Sequence, residues 1–142
     1  MGGLTMNKPL NNSLTLVNSV KKILESNGIT ADKEQSVYYV FTFKKKPYHF
    51  LIYGLMDKPI VIKTAYSESN GTNQADRYPE QIQDIKDKNI GEILFVFDGF
   101  GFGHPKYRKC NRKIRRKIGT KNVLHLRDLN QKIADIKKAS QN

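Results

Sequence analysis

Ile93-Leu94-Phe95-Val96-Phe97-Asp98-Gly99-Phe100-Gly101-Phe102-Gly103 joins a short apolar run to a glycine-spaced segment. Its first five residues are apolar, branched or aromatic, which is the length of a buried strand and too short for a core helix. The strand stops at Asp98, where glycine at every second position turns it into a loop.

Working back from that strand, Ile60-Val61-Ile62-Lys63-Thr64-Ala65 is a second short apolar run, of the kind found in a central strand. Between the two lie a polar loop, Ser67 to Gln74 with Asn70-Gly71 inside it, and a helix that Pro79 is placed to open. Ile82 and Ile85 face inward, and Asn89 to Gly91 ends the helix. A strand, a helix and a strand in this order predict two adjacent parallel strands joined by a right-handed crossover.

Further upstream, Val37 to Phe43 and His49 to Tyr53 read as a hairpin interrupted by Lys44-Lys45-Lys46-Pro47, with a second turn over Gly54 to Pro59. Ahead of the hairpin, Ser13 can cap a helix with Leu16, Val17, Val20, Ile23 and Leu24 on one face, stopped by Asn27-Gly28. Residues 1–12 read as a disordered N-terminal segment and 13–142 as one domain. Downstream, a basic segment from Lys106 to Lys117 leads to a last short strand, Val123 to Leu126. Asp128 then caps a final helix with Leu129, Ile133 and Ile136 inward. The order α-β-β-β-α-β-α-β-α predicts the α/β class, with a mixed central β-sheet flanked by helices.

The chain has 142 residues and a formal charge of +12, a field that attracts polyanions. Nucleic acid is the expected partner. No segment combines a basic face with the broad apolar face of an interfacial helix, and none approaches a membrane span, so no membrane partner is expected. A single cysteine, Cys110, makes no internal disulfide and no Cys-based zinc site, which suits a reducing, cytoplasmic setting.

Lys106, Arg108, Lys109, Arg112, Lys113, Arg115, Arg116 and Lys117 have no acid among them, while Tyr107, Cys110, Ile114 and Ile118 form a narrow apolar stripe. A solvated helix normally mixes signs, so an unmixed cationic one points to phosphate contact. Lys44, Lys45 and Lys46 are a weaker candidate, because lysines at a hairpin tip also discourage edge pairing. The glycine-spaced loop lacks the Lys-Ser/Thr ending of a P-loop; Phe100 and Phe102 either anchor it or stack on a base, anchoring being the expected role. His49, His104 and His125 lack metal-ligand spacing and read as structural. Tyr48, His49 and Lys63 have the residue types for metal-free RNA cleavage, but adjacent strand residues point to opposite faces.

The segments Lys46 to Tyr53, Ile60 to Ser67, Gln74 to Tyr78, Ile93 to Gly99 and Asn122 to Leu129 together resemble the cleavage core of type II, particularly type IIS, restriction endonucleases. The resemblance spans roughly residues 36 to 133. It implies a site in which an Asp following a Pro, and an Asp or Glu two residues before a Lys, hold a divalent metal that activates water. Here Tyr48 follows Pro47, and aligning on Ala65-Tyr66-Ser67 puts Ile62 at the second acid and Thr64 at the lysine. Sliding by one residue recovers Lys63 but puts Val61 at the acid.

What the resemblance then implies is a DNA-binding module or subunit with its own active site incomplete. It would act on double-stranded DNA beside a second nuclease subunit or in a self-dimer. A Mg2+-dependent endonuclease with displaced carboxylates, using Asp57, Lys63 and Glu80 (with Glu68 a further acid in reach), is the enzymatic alternative. A small basic RNA-binding protein is the third.

Overall fold

The computed structural model describes residues 8–29, 38–43, 46–52, 55–68 and 73–140. Lys44 and Lys45 lie outside the described residues, as do residues 1–7.

Helix α1 runs from Lys8 to Ser26, so it starts five residues ahead of Ser13, and residues 8–12 of the segment expected to be disordered are helical. Its end follows the expected glycine stop. Gly28 has φ 79°, its N–H donates to Glu25 O and the N–H of Ile29 donates to Leu24 O, a Schellman arrangement that satisfies two carbonyls. Ile29 is buried behind it.

The β-hairpin follows as β1, Tyr38–Phe43, and β2, Lys46–Ile52, paired antiparallel. Pairing steps from Phe41 with His49 to Thr42 with Pro47, passing over Tyr48. That irregularity is what lets a strand start at Lys46 and include a proline, which has no N–H to give a regular ladder. Strand β3, Ile60–Tyr66, pairs antiparallel with β2 and parallel with β4, Glu92–Asp98; β5, Val123–His125, pairs parallel with β4. The sheet is mixed and five-stranded, ordered β1-β2-β3-β4-β5. The two strands expected to be adjacent and parallel are so.

Between them lies α2, Asn73–Asp87. Pro79 sits inside this helix and does not open it. An interior proline forfeits one backbone hydrogen bond, but Ala75, Tyr78, Pro79, Ile82 and Ile85 are all buried, and their packing holds both halves of the helix to the sheet. After β4 come a 3-10 turn, Phe100–Gly103, helix α3, Pro105–Ile118, and a second 3-10 turn, Thr120–Asn122. The last helix, α4, is Leu126–Ser140, so Leu126 belongs to it and not to β5. Its first turn is capped by His125, whose Nδ1 accepts the N–H of Arg127 at 3.1 Å, where Asp128 was expected. Asp128 lies within that turn, where its negative charge suits the helix dipole.

Three layers result. Leu16, Val20 and Leu24 of α1 and Leu129 and Ile133 of α4 pack on Phe50, Ile52, Ile60, Ile62, Leu94 and Val96. The opposite face of the sheet, with Leu51, Val61, Ala65, Ile93, Phe95 and Val123, is covered by α2 and α3. Alternation along β3 sends odd and even residues to different cores, as a strand buried on both faces requires. No helix among the described residues is long and apolar enough to cross a membrane.

The connection from β4 to α3 is anchored at Gly99. With φ 106°, a Cβ there would lie 2.0 Å from Ser67 O, whereas a Cβ at Gly103 would meet nothing within 4 Å. Gly99→Ala is therefore expected to lower stability by about 2 to 4 kcal/mol, combining backbone strain and a backbone clash. Gly103→Ala is expected to stay within about 1 kcal/mol of the parent. Urea denaturation of the two variants side by side checks the contrast.

Candidate nucleic-acid interface

Helix α3 begins where His104 Nδ1 accepts the N–H of Lys106 at 3.2 Å, with Pro105 at the first helical position, where its missing N–H costs nothing. It ends at Gly119, φ 93°, whose N–H donates to Arg115 O at 2.8 Å. Tyr107, Cys110, Asn111 and Ile114 are its buried face. The Cys110 thiol is driven up to about 12, first by burial, so it is a core residue and not a reactive thiolate.

The cations divide by type around this face. Lys113 and Lys117, four residues apart, line a shallow cleft against Asp76, Glu80, Asp84 and Asp87 of α2. Lys117 Nζ donates to Gln83 Oε1 at 2.8 Å and Lys86 Nζ to Lys117 O at 2.9 Å, so this flank of the helix is already engaged. Arg108, Arg112 and Arg115 recur at i, i+4 and i+7 on the other flank, and Lys109 and Arg116 occupy the crown opposite the buried face. The helix does lack acids of its own, but α2 supplies them to one side. The signal was present in the sequence, since Asp76, Glu80, Asp84 and Asp87 recur at i, i+4, i+8 and i+11.

At the amino end of α3 the two phenylalanines of the glycine loop have opposite fates. Phe102 is buried, stacked on Phe97 with ring centroids 4.9 Å apart and tilted against Tyr107 at 4.7 Å, so it anchors the loop. Phe100 is 91% exposed. Beside this loop, Asp98 Oδ1 accepts the N–H of Gly99 at 2.8 Å and lies 3.1 Å from His125 Nε2. The imidazole Nδ1 faces the Arg127 N–H, so the arrangement fits a neutral ring with its hydrogen on Nε2 and no lone pair left for a substrate. Tyr66 opposes Asp98 in register, and its hydroxyl is driven up to about 12 by burial, by its hydrogen bond to Glu68 and by the charges of Glu68 and Asp98. Sequence spacing had no means of finding the Asp98–His125 pair, which depends on the parallel register of β4 and β5.

Lys46 opens β2, three strands away from β5 but, by the antiparallel register, at the end of the sheet where β3 and β4 finish.

No protein-family model, curated protein or solved structure matches the chain.

Lys63, Asp57 and Glu80 are not brought together. Asp57 is exposed in the turn before β3, and Glu80 is exposed on the α2 side of the cleft. Lys63 is only 6% exposed, its Nζ over the Tyr78 ring at 5.8 Å. The register positions around it are Val61, Ala65, Leu51, His49 and Phe95, none acidic. Among the described residues no group of three or more His, Cys, Asp and Glu could hold a metal ion.

Burial lowers the Lys63 ammonium from 10.5 to about 8. The unfolded chain protonates this lysine below the higher value and the folded chain only below the lower one. Stability is therefore lost as pH falls through that window and the loss is complete beneath it. Lys63→Met keeps the apolar stem, and its effect on stability is expected to be about 3 kcal/mol more favourable at pH 7 than near pH 10.5. Denaturant melts at the two pH values test this, and an equal effect at both would show that the buried charge is not the cost.

Proposed function

We propose that this chain is a DNA-binding module of restriction-endonuclease-like fold, which holds the phosphate backbone along the arginine flank of α3 beside a catalytically complete partner. The observation that carries the reading is the division of cations on α3. Arg108, Arg112 and Arg115 lie on the flank of the helix away from the cleft that Lys113 and Lys117 share with four carboxylates of α2. Guanidinium groups offer a planar fork of donors suited to phosphate oxygens, and a row of them with no acid beside it is compensated by a polyanion.

Two observations support the nuclease-like part. The sheet has an antiparallel β1-β2-β3 meander followed by parallel β4 and β5, with helices on both faces, in the element order of the resemblance. Lys63 stands on β3, the strand on which the resemblance places its lysine, but without the carboxylates that would hold a hard cation.

Neutralising Arg108, Arg112 and Arg115 together to Gln is expected to reduce the slope of log K against log salt on duplex DNA by about 2.7, at about 0.9 for each phosphate no longer neutralised. Neutralising Lys113 and Lys117 is expected to change it little. Fluorescence anisotropy over a salt series measures both, and equal effects would remove the arginine flank from the interface. Competition with duplex RNA of the same length separates this reading from RNA binding, DNA being the expected winner. In magnesium or manganese the purified chain alone is expected to leave DNA uncut. Cleavage that disappears in Asp57→Ala or Glu80→Ala would reverse that conclusion.

A further inference from the structure

Phe100 is the most exposed large apolar side chain of the described residues; the other is Met56 at 44%, on the turn before β3 at the far end of the sheet. A ring of this kind leaves most of its roughly 200 Å2 in water, apolar area that a partner can still cover. Nor is it the tip of a loose loop. Gly101 N–H donates to Ser67 O at 2.8 Å, His104 N–H donates to Gly101 O at 3.0 Å, and Phe102 is wedged beneath between Phe97 and Tyr107. Gly99 on one side leaves no room for a side chain against Ser67. The loop thus has a buried ring that fixes it and an outward ring that it holds in place.

Phe100 also stands one turn ahead of α3, at the end of the sheet to which Lys46 belongs, and the arginine flank begins eight residues later at Arg108. A polyanion that follows that flank beyond its amino end runs toward the turn that carries the ring. In an intact duplex both faces of every internal base are covered by neighbouring bases, so such a ring has no partner there without unstacking a step. An unpaired base has a free face, and stacking on an aromatic side chain is tolerant of sequence.

We propose that Phe100 is a stacking platform for an unpaired nucleobase, so that the ligand this chain prefers is duplex DNA carrying a single-stranded extension. The proposal rests on the reading of α3 as the phosphate-binding element, and it adds the class of DNA.

The full chain is titrated with a short blunt duplex and with the same duplex bearing an adenine extension that contains 2-aminopurine. The extension is expected to tighten binding roughly tenfold, and the 2-aminopurine fluorescence to fall as the base stacks. Phe100→Ala is expected to abolish both effects while keeping the blunt-duplex affinity, its salt slope and the melting temperature. Phe100→Trp is expected to restore them. If the parent chain binds the blunt duplex with a steep salt dependence but ignores the extension, or if the preference survives in Phe100→Ala, the stacking proposal falls and the α3 reading stands. If the parent chain binds neither DNA, both fall. A dimer in sedimentation that Phe100→Ala dissociates would assign the ring to a second copy of the chain and also overturn the proposal.

Discussion

The carbonyl oxygen of Ser67 is the point that holds the end of the sheet from which α3 departs. Ser67 follows the last residue of β3 and is buried; its N–H donates to Asp98 O at 3.1 Å and its carbonyl accepts from Gly101 at 2.8 Å. A buried peptide group must find partners, and here both come from the segment that leaves β4. The exit of β4, the 3-10 turn and the start of α3 are thereby tied to the end of β3, and Phe102 fills the space beneath. Through that one peptide the sheet sets where α3 starts and which way Phe100 faces.

A chain with a formal charge of +12 folds against its own repulsion, and the packing of α2 against α3 reduces it locally. The partition matches the chemistry of the side chains. Lysine is a compact point charge that an amide or a carbonyl can satisfy, and Lys117 and Lys86 are used in this way across the α2–α3 cleft. Arginine stays charged at any physiological pH and its geometry is matched to phosphate, and the arginines are the residues left on the open flank. The cleft lysines share its lining with four carboxylates, whose charge partly offsets theirs. The basic character of α3 is consequently directional, which a count of its charges does not reveal.

Much of the fold was legible because both cores declare themselves by periodicity. Ile60 to Ala65 and Ile93 to Phe97 are unbroken apolar runs because each is covered on both faces, and such runs, separated by a helix, leave the parallel pairing almost unavoidable. Element boundaries were less legible where tertiary contacts override local preference. Pro79 reads as a helix start but lies inside α2, because Ala75 and Tyr78 ahead of it are buried against the sheet. His125 caps α4 in place of Asp128, and no local rule distinguishes them, since the histidine is oriented by Asp98 on a neighbouring strand. In the candidate site the basic helix and its apolar stripe were plain, whereas the compensation by α2 and the opposite fates of Phe100 and Phe102 depend on how elements meet in space.

The nuclease resemblance places a lysine on β3, and Lys63 is there, but its side chain enters the core between the sheet and α2, against Tyr78. Its neighbours two residues along the strand, Val61 and Ala65, are core residues, as are Leu51 and Phe95 on the adjoining strands. Restoring an acid at Val61 would therefore bury a carboxylate beside a buried ammonium, an arrangement whose desolvation cost is severe, without opening any route for water or DNA. The arginine flank of α3 and the ring of Phe100, by contrast, are set outside both cores. Lys63, the residue that stands nearest the motif, is instead buried within a core, apart from that flank.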